Sequence, residues 1–161
     1  MRKCLEQEML AECMKGRIRY NCASYPDMDG KCIIEIFIDG KLTKQFSCET
    51  VNTYFWKNGY KSISNPYGSI EYRVGFFALL HRVPLESRTE YTDEEFCDAL
   101  KNYRNSSAES SFFSENPIER MFAVFDRRIG KRKLLSIKSD LNDQPQWLQD
   151  FYRLRFEAEG I

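Results

Sequence analysis

The densest chemistry in the chain is a basic run. Asp126-Arg127-Arg128-Ile129-Gly130-Lys131-Arg132-Lys133-Leu134 places five cations within seven residues. Arginine forks phosphate oxygens, and clustered positive charge concentrates anions, so Arg127, Arg128, Lys131, Arg132 and Lys133 are candidates for a phosphate or nucleic-acid contact. The competing account is structural. Cations at a helix C-terminus complement its dipole, and Asp126, Glu119 and Asp140 are close enough in sequence to pair with them. No aromatic residue is interleaved in the run, so it lacks a platform of its own for base stacking.

Other chemistry-bearing residues are scattered. His81 is the single histidine, and its expected place is a helix end. Glu35 and Asp39 are four apart on a predicted strand, on one face but separated by about 13 Å of chain, too far for a tight carboxylate pair. Asp27 and Asp29 flank a turn without the remaining ligands of a calcium loop. The sequence has no G-x-S-x-G, H-E-x-x-H, P-loop or dinucleotide fingerprint, so it names no cofactor, metal or catalytic residue. Cys4, Cys13, Cys22, Cys32, Cys48 and Cys97 include no C-x-x-C, and none is near His81, which disfavours zinc. They read as reduced, buried small hydrophobes. A further candidate is the aromatic stretch Tyr54, Phe55, Trp56, Tyr60 and Tyr67. It reads as core packing or, through Tyr54 and Trp56, as an anchor for another protein.

The elements that carry these residues follow from periodicity. Leu5, Met9 and Cys13, widened by Leu10 and Met14, predict a helix over 2–15 that stops at Gly16. Ile18, Tyr20 and Cys22 alternate with polar residues as in a strand. Pro26-Asp27-Met28-Asp29-Gly30 is turn chemistry, residues 32–38 form a second strand, and Asp39-Gly40 closes a tight hairpin to a third over 42–48. The turn predicts Ile38 opposite Lys41, Phe37 opposite Leu42, Glu35 opposite Lys44 and Ile33 opposite Phe46. Both faces of the second strand are apolar, so it should be central and at least partly covered on each side. Val51 to Trp56 weakly favours an extension of the sheet, while 57–59 and 64–68 read as loops.

Helical signals dominate afterwards. Ser69 can cap a helix over 70–81 that Pro84 ends. Thr92-Asp93-Glu94-Glu95 is a capping box. A short helix is expected over 107–113. Asn116-Pro117 starts another helix, with Ile118, Met121, Phe122 and Phe125 on one face. Gly130 stops or kinks it, residues 131–137 add a short turn of helix, and Asp143-Gln144-Pro145 starts the last helix, with Leu148, Phe151, Tyr152 and Phe156 inside.

Composition fits this plan. The chain has 161 residues with 42% hydrophobic and 14% aromatic content, ample for one folded domain. Its 24 basic and 24 acidic residues give a formal net charge of zero, which argues against a protein that coats nucleic acid or an anionic membrane. No apolar run reaches the ~20 residues of a membrane span. The start, Met1 to Glu8, turns acidic where a signal peptide turns apolar, so export is not expected.

The C-terminal half resembles an uncharacterised family of small bacterial proteins that carries the name of a hypothetical Shigella protein. The resemblance rests on Asn116-Pro117-Ile118 leading into the basic run, on Phe151-Tyr152-Arg153-Leu154-Arg155, and on Glu157-Ala158-Glu159-Gly160-Ile161. It implies a small bacterial cytosolic protein and brings no activity, cofactor or catalytic residue. The fold expected for the chain is α+β, a single domain over 1–161. An N-terminal helix and a three-stranded antiparallel meander occupy 1–68, and a helical part occupies 69–161. The function expected is non-catalytic protein interaction through segment 54–67 or the open sheet face. The alternatives are nucleic-acid or phosphate binding through 127–133 and a hydrolase using Glu35, Asp39 or His81. Arg127, Arg128 or Arg132 should pair with Asp126, Glu157, Glu159 or the terminal carboxylate, because neutral chains compensate crowded cations locally.

Overall fold

Asp39 and Gly40 adopt φ of 49° and 81°, the left-handed pair that a two-residue hairpin needs. They join β2 (Lys31–Ile38) to β3 (Lys41–Phe46), and β1 (Ile18–Tyr25) pairs antiparallel on the other side of β2, in the order β1-β2-β3. The computed structural model describes residues 1–25, 31–60 and 68–161. The turn expected over 26–30, with Asp27 and Asp29, lies outside them, as does Tyr67.

The hairpin register holds for two pairs and then shifts. Ile38 faces Lys41 and Phe37 faces Leu42, but a bulge between Ile36 and Phe37 places Ile36 opposite Lys44, Glu35 opposite Gln45 and Ile34 opposite Phe46. One extra residue on β3 reverses the facing of everything beyond it. Phe46 and Lys44 therefore join Ile34 and Ile36 on the buried face. The expected Glu35–Lys44 pair does not form; Glu35 instead accepts a hydrogen bond from Asn21 Nδ2 at 2.8 Å. The other sheet face, with Ile33, Glu35 and Phe37, is half-buried. The outward backbone N–H of Tyr20, on edge strand β1, donates to Glu6 Oε1 at 2.6 Å, which satisfies a group that would otherwise invite another strand.

The N-terminal segment is not one helix. A π-helical stretch over Cys4–Met9 and a 3₁₀ turn over Glu12–Met14 flank an extended Leu10. Leu10 forms an antiparallel bridge with Asp126: Ala11 N–H donates to Phe125 O and Arg127 N–H to Met9 O, both at 2.8 Å. This long-range backbone pairing overrides the local helical period, while Leu5, Leu10, Ala11 and Met14 still point into the core.

Residues after the sheet also differ from expectation. In place of more strand, α1 runs from Cys48 to Lys57, with Ser47 Oγ accepting from the Thr50 N–H. Val51 and Phe55, four apart, are buried against Tyr72, Phe76, Leu79 and Val83 in a second, smaller core. Most of those partners lie on α2 (Ile70–Arg82), which Ser69 caps as expected. The main core lies between the sheet and α3 (Asp93–Asn105), α4 (Ala108–Ser111), α5 (Pro117–Phe125), α6 (Lys131–Ser136) and α7 (Gln146–Glu159). Ring contacts trace its layers: Phe46 meets Phe96 at 4.8 Å, Phe96 meets Phe122 at 5.1 Å, and Phe125 meets Phe151 at 5.1 Å. The capping box of Thr92 and Glu95 is formed, and Asn116 caps α5 with Pro117 in its first turn. Gly160, at φ 67°, ends α7. The fold is α+β. Among the described residues no helix is long and apolar enough to cross a membrane.

Candidate functional site

The outer face of α2 is the most exposed apolar surface on a regular element. Tyr72, Phe76 and Leu79 turn toward α1, and the opposite side presents Ile70 at 77% exposure, Val74 at 64% and Phe77 at 46%. A helix needs one apolar stripe to pack on one neighbour; α2 has two, and the second stays exposed, the Phe77 ring meeting only that of Phe76, its neighbour in sequence, among the ring contacts of the described residues. The same small core leaves Trp56, on α1, 63% exposed. The aromatic candidates are thus divided. Phe55 is buried, and Tyr54 is half-buried, packed on Tyr60 with its hydroxyl donating to Ser87 O at 3.1 Å. Sequence reading missed the α2 face, because apolar residues on both sides of a helix look like ordinary core.

The basic run is split by its geometry. It was expected at a helix C-terminus, but α5 ends at Phe125 and α6 begins at Lys131. Lys131, Arg132 and Lys133 therefore occupy the first turn of a helix, where the dipole disfavours cations. Arg128 forks Asp126 through Nε and Nη2 at 3.0 and 2.7 Å, so one of the three arginines pairs as expected. Asp126 is 1% exposed and also accepts from Tyr103 Oη at 2.7 Å and from the Arg128 N–H at 2.7 Å. Burial pushes the Asp126 carboxyl up, but the hydrogen bonds from Arg128 and Tyr103 outweigh it, and the net shift is downward. The acidic C-terminus is met by different cations than expected. Lys131 and Arg155 reach Glu159 at 4.0 and 2.8 Å, and Arg17 reaches Glu157 at 3.6 Å. Arg127 and Arg132 are exposed and have no side-chain partner among the described residues. Lys133 lies 4.5 Å from the centre of the Phe113 ring, which is 59% exposed. The tertiary fold thus brings to the run an aromatic surface that its own sequence lacks.

A third feature is Lys44, turned inward by the bulge. Its side chain is 6% exposed, and Nζ donates to Thr89 O at 2.6 Å and Glu90 Oε2 at 2.8 Å. The rings of Trp147, Tyr91 and Phe46 surround it, 5.4 to 5.9 Å away. Burial lowers the ammonium's pKa, and the attraction of Glu90 partly offsets this. Beside it, an open groove of about 860 Å³ between α1 and residues 89–90 is lined by Glu49, Thr50, Tyr54, Lys57 and Glu90, among others. Charges of both signs with threonine hydroxyls describe a wet surface groove, whereas ligand pockets are mostly apolar. Lys44 reads as a structural pin between sheet and loop. Lys44→Met should cost about 1–2 kcal/mol in urea unfolding, because the stem's packing is retained while Thr89 O and the part-exposed Glu90 lose their donor. Lys44→Glu should cost about 3 kcal/mol or more, by burying two carboxylates together.

The remaining candidates stay apart. His81 is exposed in the last turn of α2, and Asp39 is forked by Arg17 at 2.7 and 3.1 Å. Glu35 is held by Asn21, as above. None of the six cysteines is in a disulfide; five are half-buried and Cys22 is exposed, so none is the fully buried hydrophobe expected. Cys22 and Cys32 Sγ atoms are 3.3 Å apart, and Cys32 is pushed up to about 12 by burial first and by the Cys22 contact second. Such a thiol is a poor nucleophile at neutral pH. Among the described residues no group of three or more histidine, cysteine or acidic side chains is placed to hold a metal ion.

No curated protein and no solved structure matches the chain. A family model does, over residues 1–156, a span that takes in the sheet, the small α1–α2 core, the basic run and nearly all of α7. The chain belongs to the SF0329 protein family.

Proposed function

We propose that this protein is a non-catalytic protein-interaction module whose docking face is the outer side of α2. The observation that supports this reading is the surplus apolar stripe of Ile70, Val74 and Phe77, on a helix already anchored by its other side. Exposed apolar groups aligned on one rigid element are what an interface core requires. Unbridged cysteines and the family resemblance favour a bacterial cytosolic setting. The test is site-specific photo-crosslinking in the native cell. A photoreactive phenylalanine analogue at position 77 should yield a discrete protein adduct, and the same analogue at exposed Lys101 on α3 should not. No adduct at 77, or equal adducts at both sites, overturns the reading.

A second reading is supported by a different observation. Arg127 and Arg132 have no side-chain partner among the described residues, and Lys133 covers an exposed Phe113, a combination suited to the backbone and bases of a single-stranded nucleic acid. Retardation of RNA or single-stranded DNA at low salt, weakened by Arg132→Glu and by added salt, is the expected result. No retardation at low salt removes this reading.

A further inference from the structure

We propose that the occupant of the α2 face is a second copy of this chain, docked antiparallel across a two-fold axis. The inference deepens the interaction reading above and rests on it. Ile70, Val74, Phe77 and His81 are spaced 4, 3 and 4 residues apart, the alternation that makes a straight seam for a second helix. All four are exposed. A two-fold axis crossing between residues 74 and 77 sets Val74 against Phe77 of the second copy and Ile70 against its His81, and repeats both contacts by symmetry. Ala78, a small exposed side chain beside the seam, lies close to that axis and lets the helices approach.

Charge decides between the two orientations. Glu71 sits in the first turn of α2 and Arg82 in the last, both exposed and neither with an ion-pair partner among the described residues. An antiparallel pair brings each Glu71 beside the His81–Arg82 turn of the other copy and opposes the helix dipoles favourably. A parallel pair would leave each Glu71 about 16 Å along the axis from the other copy's Arg82 and align the helix dipoles. Glu71 and Arg82 therefore meet across the seam in the antiparallel arrangement only. The helix is 13 residues long, about 20 Å, so the seam is short and the association concentration-dependent.

The test is sedimentation velocity of the full chain over a wide concentration range, with Glu71→Arg, Arg82→Glu and the double variant, each checked for folding by circular dichroism. The wild type should pass from monomer to dimer. Each single reversal should weaken association by ~10-fold or more, and the double variant should restore it. Residues 71 and 82 are eleven positions apart on one helix, out of reach of each other within a chain, so rescue reports a contact between copies. A wild type that stays monomeric, or folded single variants without rescue in the double, overturns the proposal. If the crosslinker at position 77 then captures a different protein, the second copy is excluded and the interaction reading stands. If it captures nothing, both fall.

Discussion

Asp126→Ala should lower the unfolding free energy by about 3 kcal/mol, the low end of the range for stripping one partner from a buried ion pair, because Arg128 keeps part of its hydration. The loss has several sources. The carboxylate accepts from Tyr103, from the Arg128 backbone and from its guanidinium, and all of these are lost together. Removing it leaves a buried tyrosine hydroxyl without its acceptor, where α3, α5 and the N-terminal segment converge. The pH dependence follows from the sign of the shift. The folded-state pKa of Asp126 is lowered, so its contribution is complete above the unfolded value of about 4 and is lost as pH falls through the folded value. Acid titration of stability should show a shallower low-pH slope in Asp126→Asn than in the wild type.

Phe122→Ala should cost about 4 kcal/mol in urea unfolding, by emptying a site that cannot collapse. Phe122 is 2% exposed, and its ring meets Phe96 at 5.1 Å and Tyr103 at 5.6 Å, joining α5 to α3 beneath the sheet. The same change at Phe77 should cost less than about 1 kcal/mol, because that ring already meets solvent. The contrast separates a phenylalanine the fold needs from one it does not. Equal costs would mean that α2 is packed on both sides.

What the sequence made legible was what residues encode locally. Ser69, Thr92 with Glu95, and Asn116 with Pro117 are caps whose geometry depends on three or four neighbours, and α2, α3 and α5 begin with them. The Asp39-Gly40 turn likewise fixed the first two hairpin pairs. The bulge beyond them has no glycine to announce it, and it reversed Lys44 and Phe46. The N-terminal helix failed because its competitor, the backbone at 125–127, is more than a hundred residues away. For α1 the signals were present, in Ser47 as a cap and in Val51 and Phe55 four apart, but its β-branched and aromatic content pointed to strand. The candidate sites followed the same division. A run of cations is visible in sequence; which of them end unpaired, and that Phe113 comes to lie under Lys133, is set by tertiary structure. Nor could periodicity show which stripe of α2 would meet α1 and which would be left over.

The crosslinking yield at position 77, read with and without Val74→Asp, tests the role of the α2 face most directly. Val74 is one turn from Phe77 on the exposed seam and is itself 64% exposed, so a carboxylate there should leave the stability within ~0.5 kcal/mol of the parent. The adduct should meanwhile fall by ~10-fold or more, because an interface core does not tolerate an unpaired charge. An unchanged adduct in the folded variant would contradict the assignment of this face to a partner, as would a variant that loses stability like one cut in the core.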